Sequence, residues 1–370
     1  MKTKNHILYK PGLIYILLAF ISCSTVIGQS FTDKLSSERA FPAGRETTLE
    51  IQNKYGKIQV IPWDEDSVSI HVDIFISESS ASKLKKLKED IKIKYSGTSQ
   101  YIIAKTVIGN ENSKIASEIK SIGNTLAGTN KQVEINYRVQ VPPYLDIVLQ
   151  NKFGDIYMDD LLGAVNIDLS NGVLKANNLE GNSAIKLSFA NGMINKLSTS
   201  KMTLSYSDVE LGEVMQLDLE SKSSKVNADK INVLKIDSRR DKLFFKSVEY
   251  FFGTGNFTQV WIYDLLRESD AYMKYGQLTI EHISPDFSKI KVESEYTDMT
   301  FYLDPKSNTG FDILHHTKAR LRLPEKIEIE DSTDGKDLIH KRGVIGAEEP
   351  KSVMDIKAFE KCYINISIKN

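Results

Sequence analysis

The feature that most limits how this chain can fold is a pattern that returns along most of its length. Its template is two apolar residues two apart, a turn residue five positions after the second, and two more apolar residues at two and four past the turn. Leu49, Ile51, Gly56, Ile58 and Val60 fit it, as do Ile147, Leu149, Gly154, Ile156 and Met158. From there turn residues fall at positions 154, 172, 192, 209, 224, 241, 258, 276 and 297. A sustained period of roughly 18 residues marks a repeat architecture, in which each unit is too small to bury its own apolar face and does so by stacking on its neighbours.

Alternation of apolar and polar residues makes each segment a short strand with one face inward, and excludes helices from this region. Gly, Asn, Asp, Ser and Thr at the turns accept the backbone conformations of a sharp corner. The expected fold is all-β, a parallel β-helix or β-solenoid with one repeat per coil. In it Ile167 and Leu187 take the same inward place in neighbouring repeats. Asn171-Gly172 and Asn191-Gly192 also read as two-residue hairpin turns, so an antiparallel meander is the competing architecture.

The repeat is interrupted near its start. Alternating runs over residues 68–76 and 133–141 predict two long strands that pair, residues 81–91 carry Leu84, Leu87 and Ile91 at helical spacing, and residues 92–108 read as a hairpin. Residues 109–132 are polar and weakly periodic, a surface excursion. The chain divides into a signal peptide (1–28), a lead-in (29–46), the first solenoid strands (47–78), a helix, hairpin and loop insertion (79–132), the main solenoid (133–330), and a C-terminal loop with a closing strand pair (331–370).

The signal peptide rests on Lys2, Lys4 and Lys10 ahead of an apolar run from Leu13 to Ile21, which is too short to span a membrane. Cleavage is expected between Gly28 and Gln29. Phe20-Ile21-Ser22-Cys23 offers a second reading, lipidation at Cys23, and membrane contact is expected only in that case. Cys362 is then left without an intramolecular partner, and a core position is expected for it.

Composition narrows the function classes. With 48 basic against 49 acidic residues and a net charge of −1, the chain lacks the basic excess that a phosphate backbone demands, so nucleic acid is not expected as a partner. At 41% hydrophobic residues it has the apolar mass of a folded protein.

Asn53-Lys54-Tyr55-Gly56-Lys57-Ile58 followed by Val60-Ile61-Pro62-Trp63-Asp64, and the later Asn151-Lys152-Phe153-Gly154-Asp155-Ile156, resemble the β-strand-repeat putative adhesin family of secreted and envelope proteins of Bacteroidetes. The resemblance covers nearly the whole chain after the leader. It implies a right-handed parallel β-helix or β-roll at the cell envelope, brings no catalytic residues with it, and extends to domains linked to envelope stress sensing. The chain departs from the family pattern over the aromatic stretch 244–267 and at Glu360-Lys361-Cys362.

Side-chain chemistry offers little for catalysis. His315 and His316 are adjacent on a strand and point to opposite faces, and the remaining histidines are isolated in sequence. Asp159-Asp160 reads as a solvated turn, and Arg239-Arg240 with Lys242 as a small basic corner. No catalytic, cofactor-binding or metal-ligating residues are expected. One composition shift stands out, the run from Phe244 to Tyr263. Alternation buries about half of its aromatics, leaving Tyr250, Phe252, Phe257, Trp261 and Tyr263 as the candidate binding patch. The expected function is a non-catalytic, exported binding or structural protein whose partner is a surface glycan or an envelope protein. A carbohydrate-active enzyme on a β-helix and an envelope stress-sensing component are the alternatives.

Overall fold

The computed structural model describes residues 30–109, 132–325, 327–334, 336–346 and 349–369. The expected signal peptide, Cys23 and nearly all of the polar excursion 109–132 lie outside the described residues. The described residues are all-β: 26 strands joined by hydrogen bonds into one sheet system, with one helix.

The centre of the chain is a parallel stack. Strands β8 (Asp146–Lys152), β10 (Val165–Ser170) and β12 (Ser183–Ser188) pair side by side, as do β9 (Ile156–Met158) and β11 (Val173–Leu179). Beyond them, β13 (Asn191–Ser205), β14 (Asp208–Lys222), β15 (Lys225–Arg239), β16 (Lys242–Asn256) and β17 (Gln259–Lys274) each run through a whole repeat. Val165 pairs with Ile147 and Ser183, one repeat to either side, and Leu217 pairs in the same way with Ser200 and Leu234. Every pairing from β8 to β17 is parallel, so Asn171-Gly172 and Asn191-Gly192 do not make hairpins. The period of two slips at Asn195-Lys196, where successive side chains both face outward and the strand bends.

Inward residues form columns. Ile167, Ile185, Met202, Leu219 and Ile236 follow one another through paired positions, all buried. Full burial of such a side chain contributes roughly 1.5–3 kcal/mol. Here the expected ladder is corrected: Ile167 sits against Ile185, and Leu187 against Leu169. Buried Ser183 takes the inward place of Val165, and a template counting only apolar residues passes over it and slips by two.

The corners also differ from expectation. The turn residues at 192 and 209 lie within strands, and the corners are at Ala190 and Ser207, which makes the period more even. Positive φ belongs to the residue before the corner residue at Tyr55, Phe153, Asn171, Phe189, Tyr206, Ser223, Arg240, Phe257, Tyr275 and Tyr296, and to Glu360, where Lys361 follows instead of a small residue, all with φ between 47° and 65°. The small residue is needed because the next layer passes close by. A Cβ on Gly154 would collide with the carbonyl oxygen of Gly56, and one on Gly56 with that of Ile135.

At both ends the order of layers departs from the order of sequence. Strands β2 (Thr48–Lys54) and β3 (Ile58–Pro62) pair directly with β8 and β9, Asn53 beside Asn151. Their other neighbours are β6 (Tyr101–Ile108), from the insertion, beside β2, and β7 (Gln132–Val141), the strand that follows it, beside β3. The insertion and the strand after it therefore supply the first layer of the stack. Strand β4 (Ser67–Glu78) covers β7 in antiparallel fashion, and β1 (Phe31–Pro42) covers β4. Helix α1 (Ala81–Asp90), N-capped by the Ser80 hydroxyl, buries Leu87 beneath β4, and β5 (Ile91–Gly97) forms the expected hairpin with β6.

At the far end, β18 (Gln277–Ile283) leads into β19 (Lys289–Glu295) and β20 (Asp298–Leu303). The two closing strands, β25 (Ser352–Phe359) and β26 (Tyr363–Ile368), do not pair with each other as expected. They form one layer, with its corner at Glu360, seated between β19/β20 on one side and β21 (Thr309–His316) and β22 (Arg320–Arg322) on the other. Strand β24 (Leu338–Ile345) covers β21, and β23 (Ile327–Asp334) covers β24, both antiparallel. Cys362 is buried at this last corner, its Sγ 3.3 Å from the Phe359 carbonyl.

Candidate binding groove

After each corner the chain runs outward-facing residues along one side of the stack. Paired positions bring Tyr157, Lys175, Met193, Glu210, Asn227, Phe244 and Trp261 into a column. Two residues on, at the bend, Asp159, Asn177, Asn195, Gly212, Asp229, Lys246 and Tyr263 form the opposite wall of a groove of about 1310 Å³. It crosses seven layers, or roughly 30 Å at the usual strand spacing.

The groove is polar at one end and aromatic at the other. Near its start Asp160 accepts from the side-chain amide of Asn177 at 2.6 Å and the backbone amide of Asn178 at 3.1 Å, and Asn195 donates to Asn178 at 2.9 Å. Asp160 thus organises the wall from the turn, while Asp159 beside it is exposed and lines the groove. Tyr157 donates to Asp155 at 3.0 Å; burial and that carboxylate both push its phenol above the usual range. Lys246 pairs with Asp229 at 2.5 Å across adjacent layers. At the far end Trp261, 41% exposed, and Tyr263, 54% exposed, alternate with buried Ile262, so both rings face the groove beside Phe244. The Lys369 ammonium lies 5.7 Å from the Tyr263 ring centre and 3.0 Å from Glu281.

The five patch residues fall on three surfaces. Trp261 and Tyr263 share the groove. Phe257 is at a left-handed corner, stacked on Tyr275 at 4.9 Å between ring centres, and Tyr275 stacks on Tyr296 at 5.0 Å. Tyr250 and Phe252 stack on each other at 6.5 Å further along the repeat, where Phe252 pairs with Lys235 and Asp270. The sequence reading missed Phe244, Met193 and the polar half of the groove. Their signal was present: positions one repeat apart on the outward face, read as columns rather than as a local cluster.

A second unforeseen group adjoins the aromatic end of the groove through Asp264. His282 is held between Asp264 at 2.7 Å and Asp304 at 3.2 Å, one contact per ring nitrogen. Burial alone would lower its pKa, but the two carboxylates outweigh that and raise it. His315 is buried with Nδ1 3.0 Å from the His316 carbonyl, and His316 takes the amide of Lys318 at 2.9 Å, so the two histidines serve separate contacts. Among the described residues no three His, Cys, Asp or Glu side chains converge as a metal site would require. No described helix is long and apolar enough to cross a membrane.

These features define an all-β repeat protein with an extended surface groove. No family model matches the chain, and no curated protein does. Solved structures similar to it include a putative adhesin from Parabacteroides distasonis, 10% identical, covering 74% of this chain and 97% of that one at a TM-score of 0.35. A putative adhesin from Bacteroides fragilis is 9% identical over 90% of this chain and 98% of that one, at 0.26. A putative lipid binding protein from Parabacteroides distasonis is 11% identical over 71% and 95%, at 0.35.

Proposed function

We propose that this chain is an exported, non-catalytic parallel β-solenoid that binds a ligand of the cell surface or envelope in the groove from Tyr157 to Tyr263. The offset of 17 or 18 residues between parallel partners from β8 to β17 supports that winding, and parallel crossovers favour the right-handed sense. Export rests on the leader in the sequence. The observation that carries the function is the groove itself, a continuous concavity across seven layers with three aromatic rings at one end.

A carbohydrate-active enzyme on the same scaffold would need two free carboxylates facing each other across the ligand, within about 10 Å. Asp264 is held by His282, Asp229 is drawn toward Lys246 in a solvent-exposed pair, and Asp159 and Glu210 stand three layers apart, about 14 Å at strand spacing. That arrangement favours binding over hydrolysis.

The test is to incubate the fluorescently labelled chain, from Gln29, with envelope fractions of the producing cells. The expected result is saturable binding that falls at least tenfold in a Trp261→Ala/Tyr263→Ala variant, with no release of reducing sugar. Sugar release, or binding indifferent to the two substitutions, would overturn the reading.

A further inference from the structure

We infer that the groove takes a glycan of neutral or amino-substituted sugars, laid lengthwise along the stack; this rests on the groove being the binding surface. Three observations converge on that chemistry. The rings of Phe244, Trp261 and Tyr263 offer flat apolar platforms of the kind on which the C–H face of a sugar stacks, and among the described residues Trp261 has no ring or cation partner of its own. Asn177, Asn195 and Asn227 line it with carboxylates between them, a row of paired donors and acceptors suited to hydroxyl groups. Layers about 4.8 Å apart advance at close to the rate of successive pyranose units, so an extended chain meets a similar set of contacts at each step.

Charge selects among glycans. Asp159, Glu210, Asp229 and Asp264 line the groove against Lys175 and Lys246, a net charge of −2 in the lining that disfavours uronate, sialate and phosphate-bearing polymers, while Lys225 over the Phe244 ring and Lys369, paired with Glu281, over the Tyr263 ring place cations only at the aromatic end. Other occupants fit less well. A peptide recognised by strand addition needs an open sheet edge, and strands β11 and β13 to β17 are paired on both sides. An acyl chain would lie across the asparagines and carboxylates and leave them unsolvated.

The chain has two tryptophans, Trp63 and Trp261, so a Trp63→Phe background makes the emission of Trp261 a reporter of the groove. That variant is titrated with dimers and hexamers of β-linked glucose, xylose and N-acetylglucosamine, with polygalacturonate, and with phosphatidylcholine vesicles. At least one neutral or amino-sugar hexamer is expected to shift the emission saturably, at least tenfold tighter than its dimer. Polygalacturonate is expected to give no shift at 0.15 M salt or below. Calorimetry of Trp261→Ala against the same hexamer should show at least a tenfold loss, with unchanged circular dichroism. A shift with polygalacturonate or vesicles alone, or with an envelope protein and no saccharide, would overturn the glycan assignment and leave the groove as a binding surface. No shift with any of them, and undiminished binding of Trp261→Ala to envelope fractions, would overturn both.

Discussion

Asp241 has 1% of its surface exposed and no cationic partner, yet its carboxylate is saturated. It accepts from the hydroxyls of Ser221 and Ser238 at 2.6 Å each, and from the backbone amides of Ser224 at 2.7 Å and Arg239 at 3.0 Å. The same corner is filled by Ser207, Ser224, Thr258 and Thr297 in other repeats, all buried. Asp241→Ala should therefore cost about 3 kcal/mol or more, because it strands several buried donors at roughly 1–3 kcal/mol each. Asp241→Ser, the residue that two other corners use, should cost less than half as much; urea midpoints of the two variants decide it. The sequence showed the column of small residues at these corners but not where the left-handed backbone lies. A reader assigns positive φ to Gly or Asn, whereas here Phe189, Tyr206, Phe257, Tyr275 and Tyr296 carry it. A left-handed conformation costs an ordinary residue about 1–2 kcal/mol. Ring stacking along the corner, 5.0 Å between Phe189 and Tyr206, returns roughly 0.5–1.5 kcal/mol per pair. That compensation runs between repeats, so it leaves no mark within one of them.

Strand β16 shows how a single repeat absorbs an unusual composition. Phe245 and Phe251 occupy inward places that β15 gives to Ala228 and Leu234, while Gly253 and Gly255 stand where β15 has Ile236 and Ser238. Two large side chains are balanced by two absent ones within the same cross-section, which keeps the interior near native density. Gly253 is also fixed by its backbone, with φ of 125° and no room for a Cβ against the Ile236 carbonyl. Between repeats the coupling is through the columns. Ile167→Ala or Ile185→Ala should each cost about 2–5 kcal/mol, and the double variant should depart from additivity by about 0.5 kcal/mol or more because the two cavities merge. Ile167→Ala with Leu187→Ala, one position out of register, should couple less. Asp168→Ala should cost no more than about 0.5 kcal/mol, since its 3.3 Å pair with Lys186 is solvent-exposed. Chemical denaturation of the set reads all of this, and stronger coupling of Ile167 to Leu187 would contradict the register. At this scale the strands were legible, because alternation is local. The groove was not: Phe244 and Trp261 are neighbours only once the offset between layers is known, and Ser183 hides that offset from a purely apolar template.

A parallel stack presents an open sheet edge at each end, which invites a second molecule to continue it. Both ends of this one are closed by antiparallel strands, β4 and β1 over β7, β24 and β23 over β21. The outermost strand at the far end carries Glu328 and Glu330, charges that discourage further pairing. Replacing residues 323–350 by a short linker between β22 and β25 should uncover the edge of β21. The expected result is a concentration-dependent shift to dimers and larger species in light scattering; a variant that stays monomeric would show that β24 is not a cap. The pairing of β4 with β7 was legible as two alternating runs of matching length, whereas the cover at the far end was not, since the pattern carries no information on which copy lies last. The seating of β25 and β26 between β20 and β21 has its own consequence for how the molecule is completed. A chain made from its N-terminus can add β8 to β20 one layer at a time, each on a partner already in place. Strands β21 to β24 cannot follow, because the layer they rest on is written after them, from Ser352 to Ile368. The far cap therefore waits until that stretch has been synthesised, and a chain cut short before it leaves the stack unsealed, open to proteases and to self-association, so that truncation is exposed by the topology itself.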